Sequence, residues 1–205
     1  MGRLKRYFPI PYLIVASIVI GLIARDTVRS GEAALGSIGA LVAIGAELPA
    51  LELFDGQGQP VTPTDGKYAL YMFVRGAWCP LCMAQVQEIA DQYRALEQRG
   101  VEVFLIARQP EANTRALAKR FDVPIRFCVD QDGQLARTLG IEHVGGTPFL
   151  MDALGYDADS VLPTVLITDP NRTIIFADMT DNYRVRPEPS TFLAALDAHA
   201  QKTTG

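Results

Sequence analysis

Tyr71-Met72-Phe73-Val74-Arg75-Gly76-Ala77-Trp78-Cys79-Pro80-Leu81-Cys82 joins an apolar run to two cysteines separated by two residues. The run from Tyr68 to Val74 predicts a central strand covered on both faces, because such strands read as continuous apolar sequence. A helical pattern continues from Ala84 to Arg99. Cys79 therefore falls at the first turn of a helix, with Cys82 one turn on and both thiols on the same side of the helix start. A thiolate is the nucleophile, and an unperturbed cysteine is mostly thiol at neutral pH. The unpaired N–H groups and positive dipole end of a helix start favour an anion, so a lowered pKa is expected at Cys79. Pro80 suits the first helical turn, where its missing N–H is no loss. Cys82 is close enough to attack a mixed disulfide or a sulfenic acid formed on Cys79. The pair thus reads as a redox-active dithiol.

C-P-L-C also fits half of a zinc site or a structural disulfide. Structural zinc normally takes four cysteine or histidine ligands. The remaining candidates are Cys128, His143 and His199, and none belongs to a second paired motif. No metal and no organic cofactor is expected. The sequence has 205 residues and a net charge of −4, with no long basic run, which argues against a nucleic-acid partner.

Residues 1–25 read differently from the rest. Arg3, Lys5 and Arg6 precede an apolar run from Phe8 to Ala24. Its length is near the lower limit for a membrane-spanning helix. It is expected to be a signal anchor, the alternative being a cleaved signal peptide, for which no A-x-A site follows Ala24. The early cations favour a cytoplasmic N-terminus and an exported catalytic domain. The expected location is the inner membrane of a bacterium, single-pass, with the domain on the periplasmic side, where disulfides persist. Residues 26–43 read as a linker and 44–205 as the folded domain.

Asp55-Gly56-Gln57-Gly58-Gln59 predicts the turn of a hairpin. Strands are expected at Val101–Ala107 and Pro124–Val129, with a helix at Glu111–Phe121 between them. Cys128 reads as a small buried hydrophobe. His143 opens a loop that runs to Val161 and reads as a surface residue. Leu162-Pro163-Thr164-Val165-Leu166-Ile167-Thr168 places a proline at the start of an apolar strand. A turn, a returning strand at Thr173–Phe176 and a last helix from Thr191 to Ala200 follow. Strands alternating with helices argue for an α/β layer fold with a mixed sheet flanked by helices.

Trp78-Cys79-Pro80-Leu81-Cys82 followed by Leu162-Pro163-Thr164 resembles the thioredoxin fold. The AhpC/TSA redoxins, in particular their peroxiredoxin-like branch, are a closer likeness. It is carried by Ile44-Gly45, Pro49, Leu53, Asp55 and Gly58, by Arg75 to Cys82, and by Asp181-Asn182-Tyr183-Arg184-Val185-Arg186-Pro187-Glu188-Pro189. It covers roughly residues 44–198. It implies a thioredoxin-like domain in which a cis proline, Pro163, packs against the cysteines, and Pro163 and Thr164 offer backbone groups to an extended substrate. The family's peroxidases carry P-x-x-x-T-x-x-C, and this chain has Met72 and Gly76 at those positions. The arginine that they place near the later strand is missing, with Pro163 in that region. These departures argue against efficient peroxide reduction.

The expected function is therefore that of a membrane-anchored thiol–disulfide oxidoreductase. Cys79 is its nucleophile and Cys82 resolves. Trp78, Pro80, Pro163, Thr164 and Arg75 line the substrate site, Arg75 either as a cation beside Cys79 or facing solvent. Expected partners are a protein disulfide or hydroperoxide and an electron-donor thiol protein. The same residues would serve a thiol peroxidase with Cys79 as the peroxidatic cysteine. The non-enzymatic alternative is a redoxin-fold binding module with an inert, buried Cys79.

Overall fold

The computed structural model describes residues 42–179 and 186–204. Its core is a seven-stranded mixed sheet in the order β2-β1-β5-β4-β3-β8-β9. The strands are β1 (Leu53–Asp55), β2 (Pro60–Val61), β3 (Tyr68–Val74), β4 (Val101–Ala107), β5 (Arg126–Val129), β8 (Thr164–Thr168) and β9 (Ile174–Met179). A separate ribbon pairs β6 (Glu142–His143) with β7 (Ser160–Val161). The helices are α1 (Pro80–Asp91), α2 (Tyr93–Glu97), α3 (Glu111–Ala118), α4 (Gln134–Thr138) and α5 (Pro189–Thr204).

The continuous apolar run of β3 follows from its position. It lies parallel to β4, with Tyr71 beside Phe104, and antiparallel to β8, with Tyr71 beside Leu166. Successive side chains point to opposite faces. Leu70, Met72 and Val74 pack in one core with Val86 and Ile89 of α1 and Phe192 and Leu196 of α5. Ala69, Tyr71 and Phe73 pack in a second core with Leu135, Ala136 and Leu139 around α4. Both faces are thus dry, and the C-terminal ends of β3 and β4 come together in register, Val74 beside Ala107. In open sheets such a crevice beyond the strand ends is where sites form.

The expected hairpin is present: Leu53 pairs with Val61, and Asp55 Oδ1 accepts from the Gln57 and Gln59 amides at 2.8 and 2.9 Å. Several expectations are corrected. The helix expected to run to Arg99 breaks at Gln92 (φ −93°, ψ 4°), and α2 then buries Tyr93 and Leu96. His143 is not a surface residue: it lies in the β6–β7 ribbon at 8 % exposure, and its carbonyl accepts from the Gly146 amide. No cis peptide bond occurs among the described residues, so the expected cis bond before Pro163 is absent. There the chain passes from β7 into β8 through Leu162 and Pro163. Leu162 donates its N–H to Ile141 O at 2.7 Å and accepts from Thr164 Oγ1 at 2.8 Å.

The expected anchor at 1–25 and nearly all of the linker lie outside the described residues. Among the described residues no helix is long and apolar enough to cross a membrane.

Candidate active site

Cys79 is the N-cap of α1. Its backbone is extended (φ −89°, ψ 108°), and its sulfur accepts from the Cys82 amide at 3.3 Å. Sulfur thus takes the place that a serine or aspartate oxygen fills at other helix starts. Pro80 is the first helical residue and is exposed. Cys82 lies one turn on, 0 % exposed, with its thiol donating to Cys79 Sγ at 2.6 Å. Both thiols are free.

This geometry splits the two thiols. The Cys79 pKa is pulled from 9.0 down to about 6, first of all by the Cys82 thiol hydrogen bond. Burial opposes the shift, while the Cys82 amide and the charges of Arg75 and Arg186 reinforce it. Cys82 is held far above the usual thiol range, because it supplies that shared proton, is buried, and faces the negative sulfur. At neutral pH the pair is a thiolate next to a thiol.

Arg75 follows the last residue of β3 and is 7 % exposed, so it faces inward rather than to solvent. Its guanidinium lies over the Trp78 ring, 4.8 Å from the centroid, and donates to the Gly146 carbonyl. A cation over an aromatic face is electrostatically favoured. Trp78 in turn meets Tyr156 edge-on, with ring centroids 6.5 Å apart. Two glycines make this packing feasible. A Cβ on Gly76 would lie 2.7 Å from Trp78 Nε1 and 3.1 Å from Tyr156 Cε1, and its φ of +145° also disfavours other residues. A Cβ on Gly146 would lie 2.6 Å from His143 Nδ1. The position where family peroxidases carry a threonine is therefore filled here by an indole and a phenol ring.

Pro163 and Thr164 come to the same end of the sheet, since Thr164 pairs with Phe73. Both are buried, Thr164 at 1 % exposure. The Leu162 amide and carbonyl beside them are engaged within the chain. The exposed parts of the cysteine motif are Pro80 and Leu81, the latter 40 % exposed.

Four further residues shape the site. Gln109, 1 % exposed beyond β4, accepts from the Ala77 amide at 2.8 Å and donates to Thr114 Oγ1 at 3.0 Å. It pins the turn that presents Cys79. Arg108 reaches Glu142 at 2.8 Å and Asp157 at 3.4 Å, fastening the β6–β7 ribbon to the end of β4. The ribbon loop carries Gly146 to Arg75 and Tyr156 to Trp78. Arg186, ahead of α5, places Nη2 3.7 Å from Cys82 Sγ. The polar pair Arg108-Gln109, directly after a buried strand beside the cysteine strand, was a readable signal. Arg186 lay in the Asp181–Pro189 stretch that carries the family likeness, open between lining the site and pinning the last helix, and Tyr156 carried no signal.

Peroxiredoxin Q, chloroplastic, of Sedum lineare is 27 % identical over 107 residues, covering 51 % of this chain and 58 % of that protein. The corresponding protein of Gentiana triflora is also 27 % identical over 107 residues, covering 51 % and 49 %. The chain thus spans about half the length of the curated relatives it matches. Among solved structures, reduced Prx3 from Vibrio vulnificus superposes with a TM-score of 0.63 at 20 % identity, covering 76 % of this chain and 99 % of that one. This likeness confirms the thioredoxin-like fold. The sequence model of the AhpC/TSA family matches residues 44–177, which take in the cysteine pair and most of the sheet around it, and the chain belongs to that family.

Proposed function

We propose that the chain is a thiol–disulfide oxidoreductase, held at a membrane by residues 1–25 with its catalytic domain on the extracytoplasmic side. The observation that carries this reading is the Cys82 thiol donating to a depressed-pKa Cys79 sulfur at a helix start. Cys79 thiolate attacks one sulfur of a substrate disulfide. That S–S bond breaks, and the first substrate sulfur leaves as a thiolate. Cys82, once deprotonated, attacks Cys79 Sγ and expels the second substrate sulfur. The substrate gains two electrons, and the chain is left with a Cys79–Cys82 disulfide for an electron-donor thiol protein to reduce. Exchange rates follow thiolate fraction, leaving-group pKa and access. Trp78 and Arg75 border the nucleophile, and Pro80 and Leu81 offer the exposed approach. Guidance of substrate by Pro163 and Thr164 would need their surroundings to open.

Family membership and the peroxiredoxin relatives support a second reading, a thiol peroxidase. Cys79 would attack a hydroperoxide oxygen, releasing alcohol or water and leaving a sulfenic acid. Cys82 would then condense with that acid, releasing water. The position beside Gly76 weighs against it, because Trp78 and Tyr156 fill the space where the family's threonine would hold the peroxide. A buried Cys79 also fits a binding module, but its lowered pKa argues against an inert thiol.

The reduced chain, mixed in stopped flow with hydrogen peroxide and in parallel with a disulfide-bonded protein, separates these readings. The oxidoreductase reading predicts peroxide-driven thiol loss near the rate of free cysteine, rapid disulfide reduction, and mixed disulfides trapped by C82S. Fast peroxide loss with an inert protein disulfide would replace it by the peroxidase. Inertness to both would leave the binding module.

A further inference from the structure

We infer that Arg186 is a catalytic residue of the second half-reaction, where its guanidinium receives the Cys82 thiolate while Cys79 is bonded to substrate. The inference deepens the dithiol reading above and rests on it.

The problem it solves is visible in the burial of Cys82. At 0 % exposure its sulfur is sealed from water, yet it must shed a proton before it can resolve. A buried anion without compensating partners is costly. In the resting pair Cys82 keeps its proton because Cys79 accepts it and because Cys79 is itself negative. Both influences end when Cys79 becomes half of a mixed disulfide. Desolvation then remains, opposed by groups that favour the charged form.

Among the described residues, the groups facing Cys82 Sγ come from three directions. From the helix start comes Cys79 itself. From the end of β3 comes the Arg75 backbone N–H, while the Arg75 guanidinium is engaged with Gly146 and Trp78. From the segment ahead of α5 comes Arg186, with Nη2 at 3.7 Å. Asp178 on β9 interacts electrostatically with Arg186. Arg186 is thus the cation placed against the resolving sulfur.

The step balances without another reactant. Cys82 thiolate attacks Cys79 Sγ, the Cys79–substrate S–S bond breaks, and substrate leaves as a thiolate with the bonding pair. The proton shed by Cys82 passes to solvent. Net, the chain loses two electrons and the substrate gains them.

Dithiodipyridine tests this, being a disulfide without the anionic groups that Arg186 would attract. The reduced full-length chain should release one chromophoric thiol as Cys79 attacks and a second as Cys82 resolves. Raising a thiol pKa by one unit cuts its thiolate fraction tenfold at neutral pH and restores about threefold in nucleophilicity, so R186A should slow the second release by about threefold or more relative to the first. Its pH profile should move upward, and R186K should recover much of the rate. Equal slowing of both phases, or an unmoved second-phase profile, would overturn the role. If R186A fails to fold, R186K against R186Q makes the same comparison, with lysine fast and glutamine slow. A wild-type chain that shows a first release but no second would sink the dithiol reading itself, and Arg186 with it. Two wild-type phases with an unaffected R186A would sink Arg186 alone.

Discussion

Cys79 and Cys128 are both buried, at 3 % and 0 % exposure, yet they stand at opposite ends of the thiol range. Cys79 is brought down to about 6, while burial pushes Cys128 up to about 12. They belong to the two separate cores on either side of the sheet. Cys79 caps a helix, accepts two hydrogen bonds from Cys82 and faces two guanidinium groups. Cys128 sits within β5, donates weakly to the Arg126 carbonyl at 3.8 Å and has the Asp55 charge against it. Burial acts on both sulfurs in the same direction, and what faces each sulfur decides the outcome. A buried cysteine becomes a nucleophile only where the fold aims donors and cations at it.

The comparison can be broken through pH. The folded Cys79 pKa lies below the thiol's ordinary value, so its contribution to stability is fully present above about pH 9 and lost as pH falls through about 6. Between those limits the unfolded chain binds one more proton, and the stability of the reduced protein should rise by up to about 1.4 kcal/mol per pH unit. Urea unfolding of the reduced chain at several pH values measures that slope. C79S should flatten it and C128S should leave it. An equal slope in C79S would place the titrating group elsewhere.

A smaller effect sharpens the contrast by changing what surrounds Cys79 without touching sulfur. G76T would restore the family threonine at the cost of displacing Trp78 and Tyr156. Overpacking of this kind costs about 1–3 kcal/mol. Denaturant midpoints should fall accordingly, and the peroxide rate should not rise. A variant as stable as the parent with faster peroxide reduction would show that the aromatic packing does not define this site.

Much of this was legible in the sequence because its signals were local. The unbroken run Tyr68–Val74 announced a doubly covered strand, and C-P-L-C after a turn announced the start of a helix. The family likeness supplied the fold around them. The features that complete the site were not local. Gln109 reaches Ala77 from 32 residues away, and Arg186 reaches Cys82 from 104. Such meetings depend on strand register, which no short window encodes. His143 was misread because a polar residue in a long loop gave no sign of the ribbon that buries it. Pro163 was given the family's cis geometry, whereas no cis peptide bond occurs among the described residues. Gly76 looked like a lost function, and its neighbours show an aromatic packing that needs the space.

The central claim is that Cys79 is a thiolate at neutral pH and Cys128 is not. Iodoacetamide labelling of the reduced native chain from pH 5 to 10, with each cysteine followed separately by peptide mass spectrometry, tests it most directly. The account predicts a Cys79 rate that rises to a plateau with a midpoint at about 6, and negligible Cys128 labelling across the range. A Cys79 midpoint near 9, or parallel profiles for the two cysteines, would contradict it.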